Sequence, residues 1–192
     1  MSTSPAQRER RDRMLEAAMK LAAEGGYDAV QMREVADGAG VALGTLYRYF
    51  PSKVHLLVAA LASQFEQAEA ITARRTISGD TAHERVMKIL GGNTVSLQKQ
   101  PQLTEAMVRA FMFADASVLG EIEQVGERLT RMIARAIAGS PDHGDATEEE
   151  AAIIRVIADV WMSALVSWAN GRSGAAEVEK SIDVAVRLLL RD

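Results

Sequence analysis

Apolar residues recur at three- and four-residue spacing along nearly all of the 192-residue chain, and no stretch alternates apolar and polar residues with β-branched enrichment. That periodicity predicts an all-α fold, and the punctuation divides the chain into about nine helices. Ser4-Pro5-Ala6-Gln7 opens the first: serine caps, proline takes the first helical position, and glutamine takes the capping-box position. Met14, Leu15, Ala18, Leu21 and Ala22 continue it until Gly25-Gly26 stops it. Two short helices follow, one around Met32, Val35 and Ala36 and one from about Ala42 to Tyr49. The turn Gly38-Ala39-Gly40-Val41 separates them and Pro51 ends the second. Ser52 then caps a long helix carrying Leu56, Leu57, Ala60, Leu61 and Phe65.

Downstream, Thr81 with Glu84 and Thr147 with Glu150 predict capping boxes, and Pro101 opens a helix bearing Leu103, Met107 and Phe111. A helix with Val118, Ile122, Val125, Leu129 and Ile133 fades at Gly139-Ser140-Pro141, where a polar loop begins. The helix that starts at Thr147 runs to about Asn170. Gly171 to Gly174 separate it from a last helix ending near Leu190.

Composition removes several chemistries. With no cysteine, disulfides, thiolate metal sites and cysteine nucleophiles are excluded. His55, His83 and His143 are too far apart for metal-ligand spacing, and His83 and His143 sit beside helix-start or loop signals that predict exposure. There is no Ser/His/Asp grouping and no carboxylate pair on one helical face, so the expectation is a protein that is not an enzyme and needs no metal or cofactor. No apolar run approaches the ~20 residues of a membrane span and the N-terminus is polar, which predicts a cytoplasmic protein with no membrane partner.

The net charge of −4 conceals an asymmetry. Residues 1–55 hold eight Lys/Arg against seven Asp/Glu, whereas residues 56–192 hold fourteen against nineteen. Arg8, Arg10, Arg11 and Arg13 crowd the first helix. A small phosphate-facing head on an acidic body fits that split; on charge alone, a solvated basic helix start is the simpler reading.

The two short helices form a tight helix-turn-helix, with Val35, Ala36, Val41 and Leu46 spaced to pack against the first helix. The second of the pair begins with small residues that admit close approach to a groove floor. Its Tyr47, Arg48 and Tyr49 carry donors for phosphate oxygens, and Lys53 adds a cation in the next first turn. Phe50 reads as core, whereas Tyr47 reads as shared, its ring packed and its hydroxyl outward.

The run Gly44-Thr45-Leu46-Tyr47-Arg48-Tyr49-Phe50-Pro51-Ser52-Lys53, with Val35-Ala36 and Gly40-Val41 before it, resembles the DNA-binding signature of the TetR family of bacterial repressors. A second set is similar to the actinobacterial members of that family that repress cholesterol catabolism: Gly25 to Arg33, Arg109-Ala110-Phe111, and Phe113-Ala114-Asp115-Ala116-Ser117. The resemblance implies a DNA-binding domain over 1–52 and a ligand-binding and dimerisation domain over 53–192. It implies Leu43, Gly44 and Thr45 towards base edges, Tyr47, Arg48, Tyr49 and Lys53 towards the backbone, and Arg33 reaching the site from the second helix. Leu43 and Gly44 offer no side-chain hydrogen-bond pair, so readout would rest on thymine methyls and DNA shape. The implied partner is a palindromic double-stranded operator, read by a homodimer.

The body carries a methionine-aromatic set: Met107, Phe111, Met112 and Phe113, then Met132, then Trp161, Met162 and Trp168. At helical spacing such residues are more often ordinary core. The resemblance implies instead an effector pocket lined by Leu103, Met107, Ala110, Phe111, Val125, Leu129, Met132, Trp161, Leu165 and Trp168. It implies a small apolar effector, a steroid acyl-CoA thioester, with Arg109 either meeting phosphates or pairing structurally. Ile153, Ile157, Val160, Ala164 and Ser167, with Ile182, Ala185, Val186 and Leu189, would form the homodimer face of the last two helices. The resulting expectation is a transcriptional repressor of sterol or lipid catabolism genes. Its alternatives are a TetR-type regulator of an efflux pump answering small hydrophobic compounds, and a helical lipid carrier without DNA function.

Overall fold

The computed structural model describes residues 4–73 and 75–190. Among them the chain forms nine α-helices and no strand: α1 (Pro5–Ala29), α2 (Met32–Gly38), α3 (Leu43–Tyr49), α4 (Lys53–Thr72), α5 (Ala82–Gln98), α6 (Pro101–Met112), α7 (Leu119–Ala138), α8 (Glu148–Ala169) and α9 (Ala175–Leu189). Val118, expected inside the seventh helix, belongs to a short 3-10 turn over Ala116–Val118.

Local chemistry sets most of these boundaries. Ser4 and Gln7 close a reciprocal box, Gln7 N–H to Ser4 Oγ at 3.3 Å and Ser4 N–H to Gln7 Oε1 at 3.0 Å. Gly25 and Gly26 leave helical geometry where the sequence predicts a stop, Gly26 at φ 69°. A last stretch to Ala29 follows that kink. Gly40, at φ 65°, turns the chain between α2 and α3, and Val41 N–H closes the turn onto Ala36 C=O at 2.9 Å. Thr147 and Glu150 form the expected box. At α5 the box is half closed: Thr81 accepts the Glu84 N–H, but the Glu84 carboxylate takes the N–H of Asp80 at 2.8 Å rather than that of Thr81.

The helices pack as two compact units, Met1–Ser63 with Gln100–Glu123 and Gln64–Lys99 with Gln124–Asp192. In the first, α6 lies along α1, α2 packs on α1, and α3 packs on α2. Val35, Ala36, Leu46 and Phe50 are buried as their spacing predicts, whereas Val41 at the turn is half-buried. α4 is buried on every side from Leu56 to Ala62. Each large apolar side chain so buried contributes about 1.5–3 kcal/mol, which holds a small head together.

In the second unit α9 packs against both α5 and α8. The buried Trp161 donates its indole N–H to Thr94 Oγ1 at 2.9 Å and meets the Phe65 ring edge-on at 6.1 Å. Arg85 ties off the end of α7, donating to Ala136 C=O at 2.7 Å and Ile137 C=O at 2.9 Å. His83 and His143 are half-buried rather than exposed, beside Asp183 at 2.9 Å and Glu150 at 3.4 Å. Asp183 lies a hundred residues from His83 in sequence, whereas Glu150 is the capping residue at the start of α8, close to His143.

α8 departs from the expectation about apolar runs. Its 22 residues, with a mean hydropathy of 1.5 in the richest window, are long and apolar enough to cross a membrane, and only 22% of that window is buried. It is apolar on more than one face, which a helix packed on one side alone does not require.

The strongest charge cluster of this unit centres on Glu69. Its carboxylate receives Arg131 Nε at 2.7 Å and Arg131 Nη2 at 3.0 Å, with Arg135 at 3.4 Å and Arg128 at 3.5 Å. The Arg131 hydrogen bonds, opposed by burial and helped by the three positive charges, hold the Glu69 carboxyl below its ordinary value. A depressed folded-state value means that the carboxylate adds stability above the ordinary value of 4.5 and loses it as pH falls through the lower folded value. Glu69→Gln is therefore expected to lower stability at neutral pH by about 1–3 kcal/mol. It is also expected to flatten the acid limb of stability against pH below 4.5. Urea denaturation across pH 3–7 (roughly the carboxylate titration range) reads both effects, and an unchanged acid limb contradicts them.

Candidate functional site

The candidate recognition surface comprises two short helices that show one face each. On α3, Leu46 and the following Phe50 are buried, which turns the remaining residues outward. Gly44, Tyr47 and Arg48 are exposed; Leu43, Thr45 and Tyr49 are half-buried. Arg33, on α2, is also exposed. Tyr47 is 46% exposed. Phe50 is core, with the Arg11 guanidinium 5.6 Å from its ring centre. Arg13 Nε donates to Ala39 C=O at 3.4 Å, so two of the clustered α1 arginines contact the helix-turn-helix itself.

Lys53 belongs to a second constellation. Its ammonium donates to Tyr27 C=O at 3.0 Å and lies 4.1 Å from the Tyr27 ring centre. Arg109, from α6, lies 4.5 Å from that same centre. The Tyr27 N–H reaches Glu105 Oε2 at 3.2 Å, also from α6. A side chain at Gly26 would place its Cβ 3.1 Å from that oxygen, in a backbone region that side chains avoid. Arg109 further pairs with Asp28 at 3.3 Å and Glu105 at 3.8 Å. Of the two roles left open for Arg109, the structural one is occupied here. Burial lowers the Lys53 pKa, the Asp28 charge opposes that shift, and the Arg109 charge adds to it. The ammonium keeps further N–H donors beside the one given to Tyr27.

Tyr27 and Glu105 were not among the expected site residues. An acid four residues before Arg109 reads as an ordinary surface pair, so only the fold discloses that Glu105 receives a distant backbone N–H.

The effector-lining candidates divide between the units. In the first, Leu103, Met107 and Ala110 are buried and Phe111 is half-buried. Met112 and Phe113, grouped with them by type, are 58% and 68% exposed, and Phe113 lies beyond the end of α6. In the second, Val125, Leu129, Met132, Trp161 and Leu165 are buried and Trp168 is half-buried. The Trp161 N–H is already committed to Thr94. Of the residues expected at a homodimer face, Ile157, Ile182 and Val186 are core of the subunit. Ile153, Val160, Ala164, Ser167, Ala185 and Leu189 remain half-buried. An open groove runs beside Val160, Ser163, Ala164 and Ser167 of α8 and Glu177 and Ser181 of α9.

Comparison with known proteins agrees with this anatomy. Residues 14–60 match the family described as bacterial regulatory proteins, tetR family, and residues 79–189 match the tetracyclin repressor-like C-terminal domain. The HTH-type transcriptional repressor KstR of Mycolicibacterium smegmatis is 51% identical over 187 residues, spanning 97% of this chain and 90% of the relative. A TetR transcriptional regulator from Rhodococcus sp. RHA1 has a crystal structure that aligns with TM-score 0.87 at 34% identity, over 97% of this chain and 98% of that one. FadR of Thermus thermophilus, a TetR-family repressor crystallised with lauroyl-CoA, shares the fold with TM-score 0.73 at 21% identity, over 94% and 93% of the two chains. Transcriptional regulation is a non-enzymatic role.

The packing around Tyr27 has a measurable consequence. Tyr27→Ala removes the ring that covers the Lys53 ammonium, and is expected to raise the Lys53 titration towards the ordinary lysine value of 10.5. NMR of the labelled lysine side chain reads the shift; a titration that stays put places the source of burial elsewhere.

Proposed function

This chain belongs to the TetR family of bacterial regulators and is a KstR-like helix-turn-helix transcriptional repressor; from that premise we propose that it represses sterol or lipid catabolism genes as a homodimer, released from a palindromic operator by a steroid acyl-CoA thioester. The observation that carries the reading is the likeness to KstR along nearly the whole chain. DNA binding is assigned to residues 1–52, and ligand binding with dimerisation to 53–192. Arg33, Gly44, Tyr47 and Arg48 are exposed on the helix-turn-helix, which supports their contact with DNA. Lys53, held in position by Tyr27, contributes a fixed cation to the phosphate backbone. Such a repressor works in the cytoplasm.

Two features support the homodimer. α8 retains apolar surface that its own unit does not bury, including Val156 at 48% exposure. The small residues Ala164 and Ser167 beside the α8–α9 groove allow close approach of a second copy. A twofold pair presents its recognition helices to successive major grooves about 34–36 Å apart.

Release by effector requires that ligand favour a state unsuited to that spacing. α6 supplies a route. It carries the buried candidates Leu103, Met107 and Ala110, and its Glu105 and Arg109 grip the Tyr27 turn that holds Lys53. Pressure on α6 is thereby passed to a phosphate-binding residue. The lauroyl-CoA bound by FadR of the same fold supports a thioester as the effector class.

Lys53→Ala is expected to weaken binding to all operator sequences alike and to reduce the salt slope by about one counterion. Fluorescence anisotropy from low to high salt measures this, and an unaltered slope removes Lys53 from the DNA contact. Titrating a protein–operator complex with a steroid-ring acyl-CoA is expected to release DNA, whereas the free sterol releases it poorly. Release by small aromatic drugs, with no response to the thioester, assigns the protein to efflux regulation instead.

A further inference from the structure

The charge cluster on α7 leaves part of its positive charge unanswered. Arg128, Arg131 and Arg135 occupy one helical face and all approach the single buried carboxylate of Glu69. Arg131 takes both oxygens of that carboxylate at short distance and also has Glu127 at 4.0 Å. Arg128 has Glu66 at 3.2 Å. Arg135 has neither advantage. Its contact is 3.4 Å, to an oxygen that Arg131 already holds, and its Nε, like that of Arg128, is buried without a hydrogen-bond partner.

Arg135 borders a small cleft together with Thr72, Arg75, Ile77, Met132, Ser140 and Pro141. No acid lines it, and among the described residues no carboxylate pairs with the exposed Arg75. Ser140 Oγ accepts the Asp142 N–H at 3.3 Å, which leaves its hydroxyl proton free to donate. The cleft has about 10 Å³ of free space, the room of one water-sized group, so it seats an oxygen of an anion and not a whole nucleotide. One wall is the buried side chain of Met132, which shares α7 with Leu129 and Val125. Cationic donors thus adjoin apolar core.

We propose that Arg75, Arg135 and Ser140 form an anion subsite that holds a phosphate group of the effector. Two guanidinium forks suit a phosphate better than a carboxylate, because each offers several coplanar N–H donors to a group with more than two acceptor oxygens. The low local charge of Glu69, already neutralised by Arg131, leaves Arg135 attractive to a second anion. This assignment rests on the thioester reading of the effector. It adds the residues that would distinguish a thioester from the free acid.

Isothermal titration of the full chain with choloyl-CoA, cholate and free CoA tests it. The unaltered protein is expected to bind choloyl-CoA more tightly than cholate. Arg75→Glu is expected to weaken choloyl-CoA by about tenfold or more, leaving cholate affinity and ligand-free operator affinity unchanged. Arg135→Gln is expected to act in the same direction. Because Arg135 also touches Glu69, its melting temperature is followed in parallel, while the exposed Arg75 keeps the test decisive if that variant unfolds. Equal choloyl-CoA affinity in Arg75→Glu and the unaltered protein overturns the subsite and leaves the repressor reading standing. An unaltered protein that ignores choloyl-CoA but answers cholate overturns the thioester reading and the subsite together.

Discussion

The grip of α6 on the end of α1 is the constraint on which the first unit depends. A helix that stops at a glycine pair leaves backbone groups without intrahelical partners, and a buried one must be satisfied from elsewhere. Glu105 does this for Tyr27, and the left-handed Gly26 leaves the room that its carboxylate needs. The same turn then presents the Tyr27 carbonyl and ring to Lys53, and the ring's other contact to Arg109. Through Tyr27, seventy-eight residues away in sequence, the Glu105 carboxylate thereby helps to position the Lys53 cation. An element numbered sixth along the chain becomes part of the support of a motif complete by residue 53.

The second unit is organised by a different balance. A carboxylate as buried as Glu69 is costly unless it is paired, and three α7 arginines at helical spacing pair it more than once. The excess is uneven. Arg128 and Arg131 find exposed glutamates, and Arg135 does not, so charge accumulates at the α7 end where Arg75 also lies. In the same unit, α8 has an excess of apolar surface instead of charge. Two of its faces cannot both be buried by α9, so apolar surface remains on the helix.

Much of this was legible in residue order. Ser4 with Gln7, Thr147 with Glu150, Pro101 and the glycines at 25–26 and 38–40 place their helix boundaries because capping and φ preferences act over a few residues. The run from Gly44 to Lys53 disclosed the helix-turn-helix and with it the family, because that short motif must satisfy both a turn and a groove. Residue type was a poorer guide to position. Met112 and Phe113 look like pocket residues by chemistry and stand in solvent, since α6 ends at Met112. His83 and His143 look exposed by context and lie against Asp183 and Glu150, which are distant or on another element.

The sequence by itself therefore determined the helices, the turn and the family, all of which follow from spacing and local backbone chemistry. Only the tertiary structure decided that α6 joins the unit carrying the helix-turn-helix, that Tyr27 holds Lys53, and that three arginines share Glu69. Those outcomes depend on which helical faces meet. A helix's own periodicity says which face is apolar but not which neighbour will cover it, nor which charge that neighbour brings.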